Sequence, residues 1–155
     1  MVRLPGAGTS CMSAELALEF VDTNILVYAF DDGAGAKQER AARLLHRIWD
    51  EGIGACSVQI LQEFYVATTR KATSAAAFDR AVERVQELTL WQLFVPRGRD
   101  VLAAIHIQRS QRLSFWDAMV VHAAAELGCG VLWSEDLNDG QLYQGVQVKN
   151  PFRIK

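Results

Sequence analysis

Short apolar runs, Leu16–Val21, Ile53–Cys56, Trp91–Val95, Val131–Trp133 and Val146–Val148, alternate along this chain with segments whose apolar residues recur at helical spacing. A run of about five such strands separated by helices fits only a narrow set of architectures. The expected fold is α/β: a three-layer α/β/α sandwich around a mostly parallel sheet of about five strands, with Val146–Val148 as a last, edge strand.

The helical segments are delimited by their own punctuation. Lys37–Glu51 carries Ala41, Leu44, Leu45, Ile48 and Trp49 on one side and ends at Gly52. Ser57 is placed to cap a helix with Ile60, Leu61, Phe64, Tyr65 and Thr68 on one face, and Ser74 opens a helix with Phe78, Val82 and Val85 inward. Pro96 stops the Trp91 run. Asp100–Gln111 follows with Val101, Ile105 and Gln108 on one side, and Ser114–Leu127 is apolar nearly all round. With 155 residues there is room for one domain, expected over 16–155, with 1–15 expected as a Gly/Ala/Ser-containing flexible tail and Met12 as an alternative start.

Composition excludes several classes. Cys11, Cys56 and Cys129 are odd in number, far apart and without a CxxC, so free thiols in a reducing cytoplasm are expected rather than a disulfide framework or a zinc site. No apolar stretch is long enough for a membrane span, and the N-terminus lacks a secretory h-region. The net charge of −2 gives no bulk attraction to nucleic acid, so contact with phosphates must come from metal ions or local arginines. Candidate clusters are Arg40/Arg43/Arg47, Arg70-Lys71, Arg97/Arg99 and Arg109/Arg112. His46, His106 and His122 have no HxxxH partner. The glycines of Gly33-Ala-Gly-Ala-Lys37 lack phosphate-loop spacing, no G-x-S-x-G is present, and Asp22-Thr-Asn lacks the second aspartate of a dehalogenase-like phosphatase.

Four acidic residues stand where a solvated charge is not expected. Asp22 ends the first apolar strand and Asp136 follows the Val131–Trp133 strand. Glu63 lies within the Ser57 helix, and Asp117 in the first turn of the most apolar helix. Ligands of parallel sheets bind beyond the C-terminal strand ends, where these elements begin or finish. Carboxylates gathered there repel one another and need cations, and an all-oxygen set suits Mg²⁺ or Mn²⁺ better than zinc or copper. Each residue also has a structural alternative: Asp22 as a helix cap, Asp117 at the capping-box offset from Ser114, Glu63 as a solvated helix position, Asp136 and Asp139 as turn residues.

Four segments in order resemble the PIN-domain family: Phe20-Val-Asp-Thr-Asn-Ile-Leu-Val-Tyr, Ser57-Val-Gln-Ile-Leu-Gln-Glu-Phe, Leu113-Ser-Phe-Trp-Asp-Ala-Met-Val-Val and Trp133-Ser-Glu-Asp-Leu-Asn-Asp-Gly. The set is most similar to VapC-type toxins of toxin–antitoxin pairs. That resemblance implies Mg²⁺- or Mn²⁺-dependent cleavage of RNA, a homodimer and neutralisation by a small antitoxin. It implies catalytic and metal-binding roles for Asp22, Glu63, Asp117 and Asp136, with Asp139 auxiliary. A metal-activated water would attack the phosphodiester. Thr23 and Ser134 neighbour key aspartates and are candidates to orient a carboxylate or the water, and Asn24 to fix the Asp22 loop. Trp116 is a candidate for base stacking, although a core position is the commoner fate of such a residue. Trp49, Phe64 and Tyr65 are candidates for an antitoxin groove. The alternative is a non-cleaving PIN module that binds RNA or protein.

Overall fold

A computed structural model of the chain describes residues 16–153; the segment expected as a tail lies outside them. In order, the elements are β1 (Glu19–Val21), α1 (Thr23–Ala29), a 3-10 turn (Asp32–Ala34), α2 (Ala36–Glu51), β2 (Gly54–Ser57), α3 (Val58–Thr69) and α4 (Ala75–Leu88). They continue with β3 (Gln92–Phe94), α5 (Gly98–Gln111), α6 (Phe115–Glu126), β4 (Val131–Trp133), β5 (Leu142–Tyr143) and β6 (Val146–Lys149). Among the described residues, no helix is long and apolar enough to cross a membrane.

The sheet has six strands in the order β3-β2-β1-β4-β6-β5, all parallel except the β5–β6 pair. Helices flank it. Phe20 and Val21, successive residues on opposite faces of β1, are both fully buried, and every residue of β2 is buried. That is the pattern of strands covered on both faces. Helices α5 and α6 pack on each other, with α6 against β2, β4 and β6, while α1 joins α2 and α3, and α3 joins α4. Gly54 lets β2 pass directly under the Trp91 indole, where a Cβ would overlap the ring.

Two expectations are corrected. Val146–Val148 is not an edge: β6 lies between β4 and the two-residue β5, and that short hairpin partner supplies the sixth strand. A strand of two residues bounded by turns leaves no periodic signal. The inward faces of two helices are also displaced. Phe78, Val82 and Val101 are about 40% exposed (41%, 43% and 39%), while Ala81 and Leu88 of α4 and Asp100, Ala104 and Ile107 of α5 are buried. Alanine at the contact lets helices approach closely, and the larger side chains then flank the seam rather than fill it.

Candidate active site

The chain leaves β1, builds β2 and β3 on one side of it, then crosses to β4 on the other, so strand order reverses between β1 and β4. Such a switch point opens a crevice at the C-terminal strand ends. Asp22 and Asp136 emerge there. The two strands are stitched past their last ladder pair, because the Asp22 N–H donates to the Trp133 carbonyl at 2.9 Å.

Asp22 is both a helix cap and a cleft residue. Its Oδ1 accepts from the Thr23 N–H at 2.8 Å, and its Oδ2 accepts from the Ser134 hydroxyl at 2.8 Å. Burial pushes its carboxyl up to about 6 against the opposing effect of these two donors, and the nearby Asp136 and Glu63 charges add to the rise. Asp136 is likewise raised, first by burial and then by Asp117 and Glu135. Thus Asp22 is influenced by two carboxylates that arrive from other elements, and Asp136 by a third.

Glu63 sits on the α3 face that looks into the cleft. The Thr23 hydroxyl donates to its Oε2 at 2.6 Å, and Gln59, one turn earlier, donates to its Oε1 at 2.8 Å. Asp117 occupies the first turn of α6, where its N–H donates to Ser114 Oγ at 3.1 Å. Only this half of a capping box forms, and the Asp117 side chain lines the cleft instead of returning to Ser114. Asn24 donates from Nδ2 to Asp136 Oδ2 at 2.7 Å.

Asp22, Glu63, Asp117 and Asp136 therefore line one cleft of about 270 Å³, together with Thr23, Asn24, Gln59, Arg70 and Trp116. Ser134, fully buried beneath it, also accepts from the N–H groups of Asp136 at 3.2 Å and Leu137 at 3.4 Å. Asp139 is elsewhere: its Oδ1 accepts from the Asn150 N–H at 2.8 Å and ties the β4–β5 loop to the residue that follows β6. Glu135 is ion-paired to Lys37. On α3, Gln59, Val66 and Ala67 are cleft residues that sequence reasoning did not single out, and Arg70 entered it only as half of the Arg70-Lys71 cluster. The signal was their spacing, since 59, 63, 66, 67 and 70 fall on one helical face.

The donor set is all carboxylate and amide oxygen, and the raised Asp22 and Asp136 mark a site that gains from positive charge. In donor type and charge these residues fit a hard divalent cation. Among the described residues, however, no three acidic or other ligating side chains converge tightly enough to enclose an ion by themselves. The carboxylate oxygens are held apart by Thr23, Asn24, Gln59 and Ser134, which occupy them with hydrogen bonds.

The other candidate surfaces resolve differently. Arg47 pairs with Glu19 and Glu51, Arg43 with Glu39, and Arg40 donates to the Phe152 carbonyl, so the α2 cluster is satisfied internally. Phe64 is in the core, and Tyr65 is exposed. Trp49 borders an apolar cavity of about 460 Å³ between α1, α2 and α4, with Phe30, Leu45, Leu88 and Trp91. His122 is buried against Asp100, with Nε2 and Oδ1 2.8 Å apart, and has no part in the cleft.

Comparison with known proteins agrees with this architecture. FitAB bound to an IR36 DNA fragment superposes with a TM-score of 0.70 at 14% identity, over 89% of this chain and 98% of that one. A toxin–antitoxin complex from Klebsiella pneumoniae superposes at 0.65 with 18% identity, over 88% and 99% of the two chains. Mycobacterium tuberculosis VapC20, a sarcin–ricin-loop-cleaving toxin, gives 0.56 at 18% identity, over 74% and 86%. These likenesses are of fold. No curated protein matches the sequence. The PIN domain profile matches residues 20–139, most of the chain and all four acidic segments, and the protein belongs to the PIN domain family.

Proposed function

We propose that this protein is a divalent-metal-dependent endoribonuclease and the toxin of a toxin–antitoxin pair. The observation that carries this reading is the meeting of Asp22, Glu63, Asp117 and Asp136, from elements spread over 115 positions of sequence, along one cleft at the sheet's switch point. Membership of the PIN family and the fold shared with toxin complexes support it.

In this proposal Asp22, Asp117 and Asp136 hold Mg²⁺ or Mn²⁺, with Glu63 completing the set directly or through water. When bound, the ion lowers the pKa of a water and offsets charge developing on the scissile phosphate. The chain's own residues arrange the acids. Ser134 holds Asp22 in one rotamer, Thr23 and Gln59 clamp Glu63, and Asn24 restrains Asp136. No serine or histidine nucleophile is required.

RNA cleavage by purified protein, with Mg²⁺ or Mn²⁺ against EDTA and wild type against Asp22→Asn, tests the reading. Metal-dependent cleavage lost in the variant is expected. A folded protein that binds no divalent ion favours a non-cleaving RNA- or protein-binding PIN module instead. The proposed partners are a cognate antitoxin and a second copy of the chain. Co-purification with the product of an adjacent short reading frame tests the first, and sedimentation of the isolated chain tests the second.

A further inference from the structure

Trp116 is 62% exposed although it carries the largest apolar side chain of α6, and it lines the acidic cleft. An indole placed this way is not a core residue. Its backbone is tied to the opposite wall, since Gln59 Nε2 donates to the Trp116 carbonyl at 3.4 Å, and its ring is braced edge-on by Phe115 at a centroid distance of 5.1 Å. The facing wall is the α3 stripe that continues from Gln59 and Glu63 through Val66 and Ala67 to Arg70. Val66 is 55% exposed, so this wall is open and apolar in its middle. Arg70 is the one cation among the residues lining the cleft, and it forms no ion pair among the described residues.

The cleft thus brings four carboxylates, an exposed aromatic face and one arginine onto the same walls. A polyanion approaching four carboxylates on a chain of net charge −2 needs attraction that does not depend on bulk charge. Base stacking supplies it, because every base has a π-face, and a single arginine is enough to fix one phosphate. A stacked base must be out of a duplex.

We propose, resting on the ribonuclease reading above, that Trp116 and Arg70 form a two-point grip for unpaired RNA, with Trp116 stacking on one base and Arg70 binding a backbone phosphate beside it.

Binding of a fluorescein-labelled single-stranded RNA of mixed sequence is measured by anisotropy in full-length Asp22→Asn protein, alongside the same RNA annealed to its complement. Trp116→Ala is expected to weaken single-strand binding about tenfold, and Trp116→Phe to restore most of it. An abasic position scanned through the RNA should weaken binding at one site in the Trp116 parent and have no further effect there in Trp116→Ala. Arg70→Gln should lower the slope of log affinity against log salt by about 0.7, the value for one phosphate on a single strand. Equal affinity of parent and Trp116→Ala, or equal binding of duplex and single strand, overturns the grip. So does loss of a dimer in Trp116→Ala by sedimentation, which would make the residue an interface contact. Failure of the ribonuclease reading appears separately, as wild-type protein that cleaves no RNA with Mg²⁺ or Mn²⁺ whatever its binding.

Discussion

Ser134 and Asp22 are joined by a 2.8 Å hydrogen bond that spans 112 positions of sequence and links the ends of β4 and β1 beneath the acidic cleft. The same hydroxyl receives the Asp136 and Leu137 N–H groups, so one buried oxygen sets the position of two of the four acids.

Ser134→Ala removes a donor to a buried carboxylate and leaves those two N–H groups without their partner. It should cost about 1–3 kcal/mol, read as a lower denaturation midpoint with unchanged m-value. The carboxyl of Asp22 should rise further, since the lost bond favours its charged form. In the proposed nuclease the acid limb of the pH–rate profile moves upward; an unmoved limb would separate Ser134 from the site.

Asp22→Asn should stabilise the metal-free protein at neutral pH. With a folded pKa of about 6 against an unfolded value near 3.8, the native state holds a proton that the unfolded chain has already lost between those values. Stability from this group is therefore full below about pH 4 and falls as pH rises through 6. The asparagine escapes that loss but gives up one acceptor, so the net gain at pH 7–8 is about 1–2 kcal/mol, or roughly 2–8 °C in Tm. The two proteins should converge on acidification. Adding Mg²⁺ or Mn²⁺ should raise the wild type and not the variant, and a wild-type Tm indifferent to both ions counts against the proposed ion.

Gly54→Ala should destabilise by about 1–3 kcal/mol, because the new Cβ meets the Trp91 indole, which is itself packed against Trp49 at 6.1 Å. In the proposed nuclease, cleavage per folded molecule should be unaltered, since β2 beyond Gly54 still delivers α3. Double substitution with Trp91→Ala should be less costly than the sum if the clash is the cause.

Cys56 and Cys129 are buried thiols whose pKa burial pushes up to about 12. Neither should react with iodoacetamide in the native state near neutral pH, and both should label together once denaturant unfolds the domain. Mass-spectrometric mapping distinguishes them from Cys11. Fast native labelling would show local opening, of the sheet at β2 for Cys56 and of the turn between α6 and β4 for Cys129.

Features that depend on neighbours along the chain are legible in the residues themselves. Alternating apolar runs and capped helical periods specified a parallel α/β fold, because each strand and helix carries its own hydrophobic pattern. Asp22, Glu63, Asp117 and Asp136 stood out because charges at strand ends and in apolar helices are costly without a reason. Features that depend on packing between distant segments emerge only when the elements dock, in the folded chain. Docking set the sixth strand at β5, the turn of α4 and α5 that leaves Phe78, Val82 and Val101 exposed, and the position of Asp139 outside the cleft. It also selected partners that adjacency does not give: the Thr23 hydroxyl reaches Glu63 while its N–H stays on Asp22, and Asn24 reaches Asp136. A hydroxyl or amide finds its acceptor by geometry after the elements dock, and a spacing of 40 or 112 residues carries no local pattern from which to read it. Trp116 is the same case, an aromatic whose sequence context is that of a core helix and whose exposure follows only from where the first turn of α6 meets the open cleft.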